Sequence, residues 1–303
     1  MATTIHVGIA FDQNYLAPFY ALASSVLANN KGNSITIHAI VTGVPENTRT
    51  DIAAYMKSHG CDIVFYEIDE EDIRKYVLTS KWTSAVYYRL LFPFLVPQDI
   101  QRFLYIDTDT IVLNDLTALY NQPLGHYPVG AVYDNWVKTA PQLGITEEGA
   151  YFNSGVMLMD LPRWRDQKIS EQAFDYLARY PERIKFVDQD ALNAVLIGNW
   201  KHLDNRFNFM YSLIPDDVSV RELEQIRKSA VVVHFTLQRP WFMLCRNRFR
   251  SYYFYYLKHS PGRHLKRIND FSAGKLPAYV KQRLIELYND NPAIKKIWRR
   301  LKQ

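Results

Sequence analysis

The sequence predicts an α/β fold built on a largely parallel sheet, and three observations lead there. Short β-branched or apolar runs alternate with segments of helical spacing through the first two-thirds of the 303-residue chain. One such run ends directly in two aspartates, Phe103-Leu-Tyr-Ile-Asp107-Thr-Asp109, and open α/β sheets collect ligands beyond the carboxyl ends of their strands. A composition of 48% hydrophobic and 22% charged residues is that of an ordinary soluble globular enzyme, in a chain long enough to bury a large core.

Ile5–Phe11 reads as an apolar strand and Pro18–Asn29 as a helix rich in small residues. Ser34–Val41 carries the β-branched residues of a second strand, Glu46–His59 the spacing of an amphipathic helix, and Cys61–Ile68 a third strand. Phe103–Ile106, Val129–Tyr133 and Gly155–Met159 are short apolar runs, the pattern of buried strands. Gln167–Tyr180 and Gln189–Leu196 have helical spacing. With no internal repeat and no low-complexity linker, residues 1–260 read as one catalytic domain and 261–303 as a basic C-terminal helical appendage.

Four segments carry chemistry. Asp107 and Asp109, at i and i+2 after a strand, offer hard oxygen ligands for a divalent cation, which can neutralise a diphosphate leaving group. The same pattern opens haloacid-dehalogenase-type phosphatases, but those place Thr or Val two positions after the second Asp, where this chain has Ile111. Asn153, within Tyr151-Phe-Asn-Ser-Gly-Val156, brings a donor and an acceptor to a strand entrance and suits sugar hydroxyls; its plainer reading is a turn residue. Asp188, Gln189 and Asp190 follow the apolar pair Phe186-Val187 as a natural sugar clamp, although Asp188 also fits as a helix cap. Val231-Val-Val-His234 is an apolar strand ending in His. Alone it reads as structural, but with Asp107 and Asp109 it completes an Asp, Asp, His set that favours Mn²⁺ over Mg²⁺.

Composition narrows the remaining classes. Met1–Asp12 has no basic n-region and no long apolar stretch, so no signal peptide is expected, and no run is long enough to cross a bilayer. Cys61 and Cys245 lack metal-ligand spacing, which argues against a disulfide framework or zinc cluster and for a reducing, cytoplasmic compartment. The net charge of +5 conceals an asymmetry: from Arg239 onward 16 Lys or Arg face three acids, whereas the rest of the chain has 20 against 28. Arg246, Arg248, Arg250 and Lys258 interleave with Trp241, Phe242, Phe249 and the run Tyr252–Tyr256. Ile294, Ile297, Trp298 and Leu301 share one helical face with Lys and Arg on the other. Aromatics flanked by cations suit the headgroups of an anionic membrane, the plainer reading being that the aromatics pack on the catalytic domain. No nucleic-acid recognition motif accompanies the patch, so no nucleic-acid partner is expected.

Six pieces in order, Ala10-Phe-Asp12-Gln-Asn14-Tyr15, Tyr88-Arg89-Leu, Tyr105-Ile-Asp107-Thr-Asp109, Phe152-Asn153-Ser-Gly155-Val, Asp188-Gln189-Asp190 and Arg206-Phe-Asn208-Phe, resemble glycosyltransferase family 8. That family includes bacterial lipopolysaccharide galactosyl- and glucosyltransferases and glycogenin. The resemblance spans Ile5 to Trp241 and implies a GT-A fold, a UDP-sugar donor, Mn²⁺ (with Mg²⁺ as a substitute) and retention of anomeric configuration. It implies that Ala10, Asp12, Asn14 and Tyr15 hold uracil and ribose, and that Arg89, Thr108 and Arg239 lie by the donor sugar and diphosphate. It also makes Asp107, Asp109 and His234 the metal ligands, with Asp134, Asn153, Asp188 and Gln189 around the hexose. In the family Gln189 lies near the β face of the anomeric carbon. An amide is a poor nucleophile, which favours front-face attack with Gln189 stabilising positive charge on the sugar.

One segment departs from the family. His234-Phe-Thr-Leu-Gln-Arg239-Pro-Trp241 is a residue shorter, lacks the usual Gly and has Arg where Lys is usual. The expected activity is transfer of galactose or glucose from UDP-hexose to a lipid-linked glycan, of lipopolysaccharide or O-antigen type, at the inner face of the cytoplasmic membrane. Transfer to a glycoprotein or to itself is the rival activity, and a non-catalytic nucleotide-sugar-binding protein the rival class.

Overall fold

β1 (Ile5–Asp12), β2 (Ile35–Thr42) and β3 (Cys61–Glu67) run parallel, each paired along most of its length. In the structure, a computed structural model, residues 4–68, 87–214, 218–291 and 294 are described. The amphipathic end read from Ile294, Ile297, Trp298 and Leu301 therefore lies, Ile294 apart, outside the described residues. β4 (Arg102–Ile106), β6 (Val129–Tyr133), β7 (Phe152–Asp160) and the short β8 (Lys201–His202) complete a sheet of order β3-β2-β1-β4-β7-β6-β8.

β4 shows why the sheet is covered on both faces. Leu104 and Ile106 enter one core with Val7, Ile9 and Ile37, whereas Phe103 and Tyr105 enter the other with Ile40, Met157 and Met159. The first core is closed by α1 (Leu16–Asn29), the second by α3 (Tyr88–Leu95), α4 (Ile169–Arg179) and α5 (Val187–Val195), while α2 (Glu46–Ser58) inserts Ile52 and Met56 into the first.

β7 is the antiparallel member, against both β4 and β6. Its direction matters, because the start of β7 then reaches the edge at which β4 ends. Ile106 pairs with Val156, and the Asp107 N–H donates to the Gly155 carbonyl at 2.7 Å. A second sheet, order β5-β10-β9, comprises β5 (Thr110–Val112), β9 (Phe209–Met210) and β10 (Val232–His234), which follows α6 (Val220–Ser229), and its register sets His234 opposite Thr110.

The strands predicted from apolar runs appear within a residue or two of their expected bounds, except β7, which begins earlier at Phe152. The helix expected over Gln189–Leu196 starts two residues sooner at Val187. The aromatic run after Arg239 is largely core. Trp241, Phe249, Tyr253 and Tyr256 are buried, the last two on α7 (Arg250–Lys258), which packs on α1 where Asn29 donates to the Tyr256 hydroxyl at 2.8 Å. α8 (Leu276–Asp290) has no buried residue and is pinned by Gln282 to the Cys245 carbonyl at 2.7 Å and by an Arg250–Glu286 ion pair at 2.5 Å. Among the described residues no helix is long and apolar enough to cross a membrane.

Candidate active site

β4 ends, and the chain turns through Asp107-Thr108-Asp109 into β5. The turn is closed by the Thr110 hydroxyl donating to the Asp107 carbonyl at 2.8 Å. The Thr108 hydroxyl donates to the Ala10 carbonyl at 2.6 Å, so the turn is tied to the end of β1. Asp107 accepts from the Tyr105 hydroxyl at 2.6 Å and from Arg89 at 3.0 Å. Asp109 faces His234 Nε2 at 3.1 Å and accepts from Arg239 Nε at 3.2 Å.

Carboxylate and imidazole atoms of Asp107, Asp109 and His234 lie within 4.8 Å of one another. Gly155 makes the room. A Cβ there would meet His234 Cε1 at 2.2 Å and Asp107 Oδ2 at 2.7 Å. Two carboxylates and an imidazole converging in this way fit a divalent cation.

Arg89, at the start of α3, stands between two acids. It pairs with Asp107 at 3.0 Å and with Asp188 at 2.6 Å, donates to the Ser154 hydroxyl at 2.5 Å and covers the Tyr105 ring at 4.9 Å. Burial pushes the Asp188 carboxyl up to about 6 against the pull of Arg89. Asp109 goes the other way: burial raises it, but His234 and Arg239 outweigh that and hold it at about 2. Burial lowers the His234 imidazole, and Asp109 more than reverses the effect, leaving it raised.

Gln189, in the first turn of α5, is fastened on both sides. Its carbonyl accepts from the Ser154 N–H at 3.1 Å, and its amide donates to Asp134 Oδ2 at 3.1 Å and to the Tyr151 hydroxyl at 3.2 Å. Asn153 also donates to Asp134 Oδ2, at 3.0 Å. Asp188 does not cap α5, since its carboxylate faces Arg89. The buried Asp190 instead holds the turn, accepting the N–H groups of Lys185 and Phe186 at 2.6 and 2.8 Å.

A cavity of about 380 Å³ gathers Arg89, Asp107, Asp109, Asp134, Asn153, Asp188, Gln189, His234 and Arg239. Ala10, Asp12, Asn14, Tyr15 and Thr108 do not line it. Ala10, Asp12, Asn14 and Tyr15 form the adjoining ledge at the end of β1, to which Thr108 is tied; there Asp12 caps the turn at Asn14 and Tyr15, and the Tyr15 ring packs edge-on against Trp241 at 5.7 Å. Sequence reasoning missed Trp136, Tyr211, Ser212 and Leu237, which also line the cavity. Tyr105 was findable, because it shares Asp107's face two residues earlier; Trp136 and Leu237, on loops, carried no such signal.

The loop after His234, where the sequence departs from the family, has an unusual backbone. Thr236 adopts φ 42°, the left-handed conformation that a Gly takes freely, and Val187 beside Asp188 does the same. Two β-branched residues in that region, both at the cavity, mark local strain at the site.

An acid pair and an imidazole at the ligand edge of a mostly parallel sheet fit a GT-A glycosyltransferase, the class to which likeness to a solved galactosyltransferase assigns the fold. The chain belongs to glycosyl transferase family 8, whose model matches residues 6–245. Lipopolysaccharide 1,2-glucosyltransferase of Escherichia coli K12 is 27% identical over 265 residues, 85% of this chain and 78% of its own. The lipopolysaccharide 1,3-galactosyltransferase of Salmonella typhimurium LT2 is 25% identical, over 91% and 84%. General stress protein A of Bacillus subtilis is 29% identical, over 84% and 94%. Among solved structures, the galactosyltransferase LgtC in complex with donor and acceptor sugar analogs superposes with a TM-score of 0.73 at 25% identity, covering 90% of this chain and 99% of that one.

Proposed function

We propose that the protein is a retaining, Mn²⁺-dependent hexosyltransferase that moves galactose or glucose from a UDP-sugar to a lipid-linked glycan. The observation that carries this reading is the meeting of the Asp107, Asp109 and His234 cluster with Arg89, Asp134, Asn153, Asp188 and Gln189 in one open cavity. Asp107, Asp109 and His234 would hold the metal ion, which when bound supplies positive charge to a departing diphosphate.

Arg239, half-exposed beside Asp109, is placed to bind a phosphate oxygen once a ligand competes for it. Asp134, Asn153 and Asp188 offer acceptors and donors to hexose hydroxyls. Gln189 is held too firmly by Ser154 and Asp134 to serve as a mobile nucleophile, and it fits better as a fixed dipole beside developing positive charge on the sugar. The uridine would lie on the ledge formed by Ala10, Asp12, Asn14 and Tyr15, and Thr108 would support that ledge through the Ala10 carbonyl.

Residues 261–303 would seat the enzyme peripherally on the inner face of the cytoplasmic membrane. α8 exposes Val280, Leu284 and Leu287 on a strongly basic segment. Leu284→Glu with Leu287→Glu should abolish sedimentation with anionic vesicles and leave donor hydrolysis intact; unchanged sedimentation would remove the membrane role.

The activity is tested by UDP release from a panel of UDP-sugars with and without Mn²⁺. Slow hydrolysis of one UDP-hexose that needs Mn²⁺ supports the reading and names the donor. Metal-dependent UDP binding with no turnover, even with glycan acceptors added, would instead make the chain a nucleotide-sugar-binding protein.

A further inference from the structure

We propose that a second pocket, beside the catalytic cavity, is an acceptor subsite that binds a phosphate group carried by the acceptor glycan. The inference rests on the glycosyltransferase reading and names the chemistry of its acceptor.

The segment after Pro240 builds one wall of the pocket by alternation. Met243, Cys245, Asn247 and Phe249 are buried, and the residues between them, Leu244, Arg246 and Arg248, turn the other way and line a cavity of about 480 Å³. α8 supplies the opposite wall with Lys281, Gln282 and Ile285. The walls are tied together where Gln282 and Arg283 both donate to the Cys245 carbonyl, at 2.7 and 3.1 Å. Small-ligand sites usually have volumes of about 300–1,000 Å³, and this pocket falls in that range.

Its positive charge is only partly neutralised. Arg248 pairs with Asp290, while Glu286, on the pocket wall, is held by Arg250 at 2.5 Å and by Arg283 at 2.7 Å. Both acids therefore already have cations. The Arg246 and Lys281 side chains are exposed and form no ion pair or hydrogen bond among the described residues. A guanidinium fork and a mobile ammonium at one cavity suit an oxyanion with several free oxygens, which is a phosphate.

The position of the pocket assigns that phosphate to the acceptor. Tyr211 lines this pocket and the catalytic cavity alike, so the two adjoin. The Arg246 N–H donates to Gln238 Oε1 at 2.8 Å, and Gln238 lines the catalytic cavity. On its other side the pocket meets the apolar strip of Val280, Leu284 and Leu287, with Lys281 and Ile285 bordering both. Sugar site, cations and apolar strip follow one another, the order in which a glycan joined to lipid through phosphate presents its parts.

The test titrates lactose 1-phosphate and lactose calorimetrically into the protein loaded with Mn²⁺ and UDP. Those two ligands occupy the metal site and Arg239, which leaves the second pocket to receive a further phosphate. Lactose 1-phosphate should bind at least about tenfold tighter than lactose. Arg246→Gln with Lys281→Gln should remove that advantage while UDP affinity and the urea midpoint stay unchanged. Equal affinity for the two probes, binding of neither, or an advantage that survives the double variant overturns the proposal. Inorganic phosphate that binds as tightly as lactose 1-phosphate also overturns it, by making the pocket a site for the free ion. Phosphatidylglycerol vesicles that displace lactose 1-phosphate from wild type would make it a lipid-headgroup site and overturn it equally. The UDP titration reports separately on the transferase reading: a chain that binds no UDP with Mn²⁺ refutes that reading and the acceptor role with it.

Discussion

Gly155→Ala places one methyl group at the centre of the site. The new Cβ would stand 2.2 Å from His234 Cε1 and 2.9 Å from His234 Nδ1, where ordinary contact begins near 3.4 Å. The imidazole must therefore move by more than about 1 Å, or β7 must shift. Neither is free to give. His234 is held at 3.1 Å by both Asn208 and Asp109, and β7 is paired on both sides. A displacement of about 1 Å takes both of those hydrogen bonds beyond useful length, at about 1 kcal/mol each, and overpacking adds about 1–3 kcal/mol. Stability of the metal-free protein should fall by about 3–5 kcal/mol, read as a shifted urea midpoint at unchanged slope. Mn²⁺ affinity should fall at least tenfold in the same protein. A variant within about 0.5 kcal/mol of wild type and with unchanged Mn²⁺ affinity would refute the claim that His234 and Asp107 converge over Gly155.

Three further outcomes follow from particular groups. Arg89→Met leaves Asp107 and Asp188 without their shared buried cation and should cost about 3–5 kcal/mol in urea unfolding; a loss below about 1 kcal/mol would show the pairs to be solvated. Burial, and then His6, lowers the His38 imidazole to about 4, so the unfolded chain takes up this proton near 6.5 and the native chain only near 4. Stability should therefore rise by about 2–3 kcal/mol from pH 4 to 6.5, and His38→Gln should flatten that rise; an equally steep rise in the variant would refute it. Thr236→Gly relieves the φ of 42° and should stabilise the fold by about 1 kcal/mol, measured as a raised urea midpoint, whereas a lowered midpoint would mean that the loop is unstrained.

Much of the sheet was legible because its strands are short apolar runs with few polar interruptions, as in Ile35–Thr42 and Arg102–Ile106. The direction of β7 was not legible, since an apolar strand reads the same both ways, and yet that direction carries Asn153 and Gly155 to Asp107. Asp107 and Asp109 stood out because two acids follow an apolar strand. Asp188 was ambiguous between helix cap and site residue, and only the Arg89 contact separates the two, an ion pair across 99 positions of sequence. The aromatic run from Trp241 to Tyr256 drew attention as a surface feature because cations interrupt it. In the fold Trp241, Phe249, Tyr253 and Tyr256 turn inward, Arg248 and Arg250 pair with Asp290 and Glu286 on α8, and Phe242 and Tyr255 stay exposed, a division that composition does not encode.

The central claim is that Asp107, Asp109 and His234 form a metal site that binds a nucleotide diphosphate, and calorimetric titration of UDP tests it most directly. With Mn²⁺ present the wild-type chain should bind UDP, and both removal of Mn²⁺ and Asp109→Asn should abolish that binding. UDP binding that is equally tight without Mn²⁺, or unchanged in Asp109→Asn, would contradict the account.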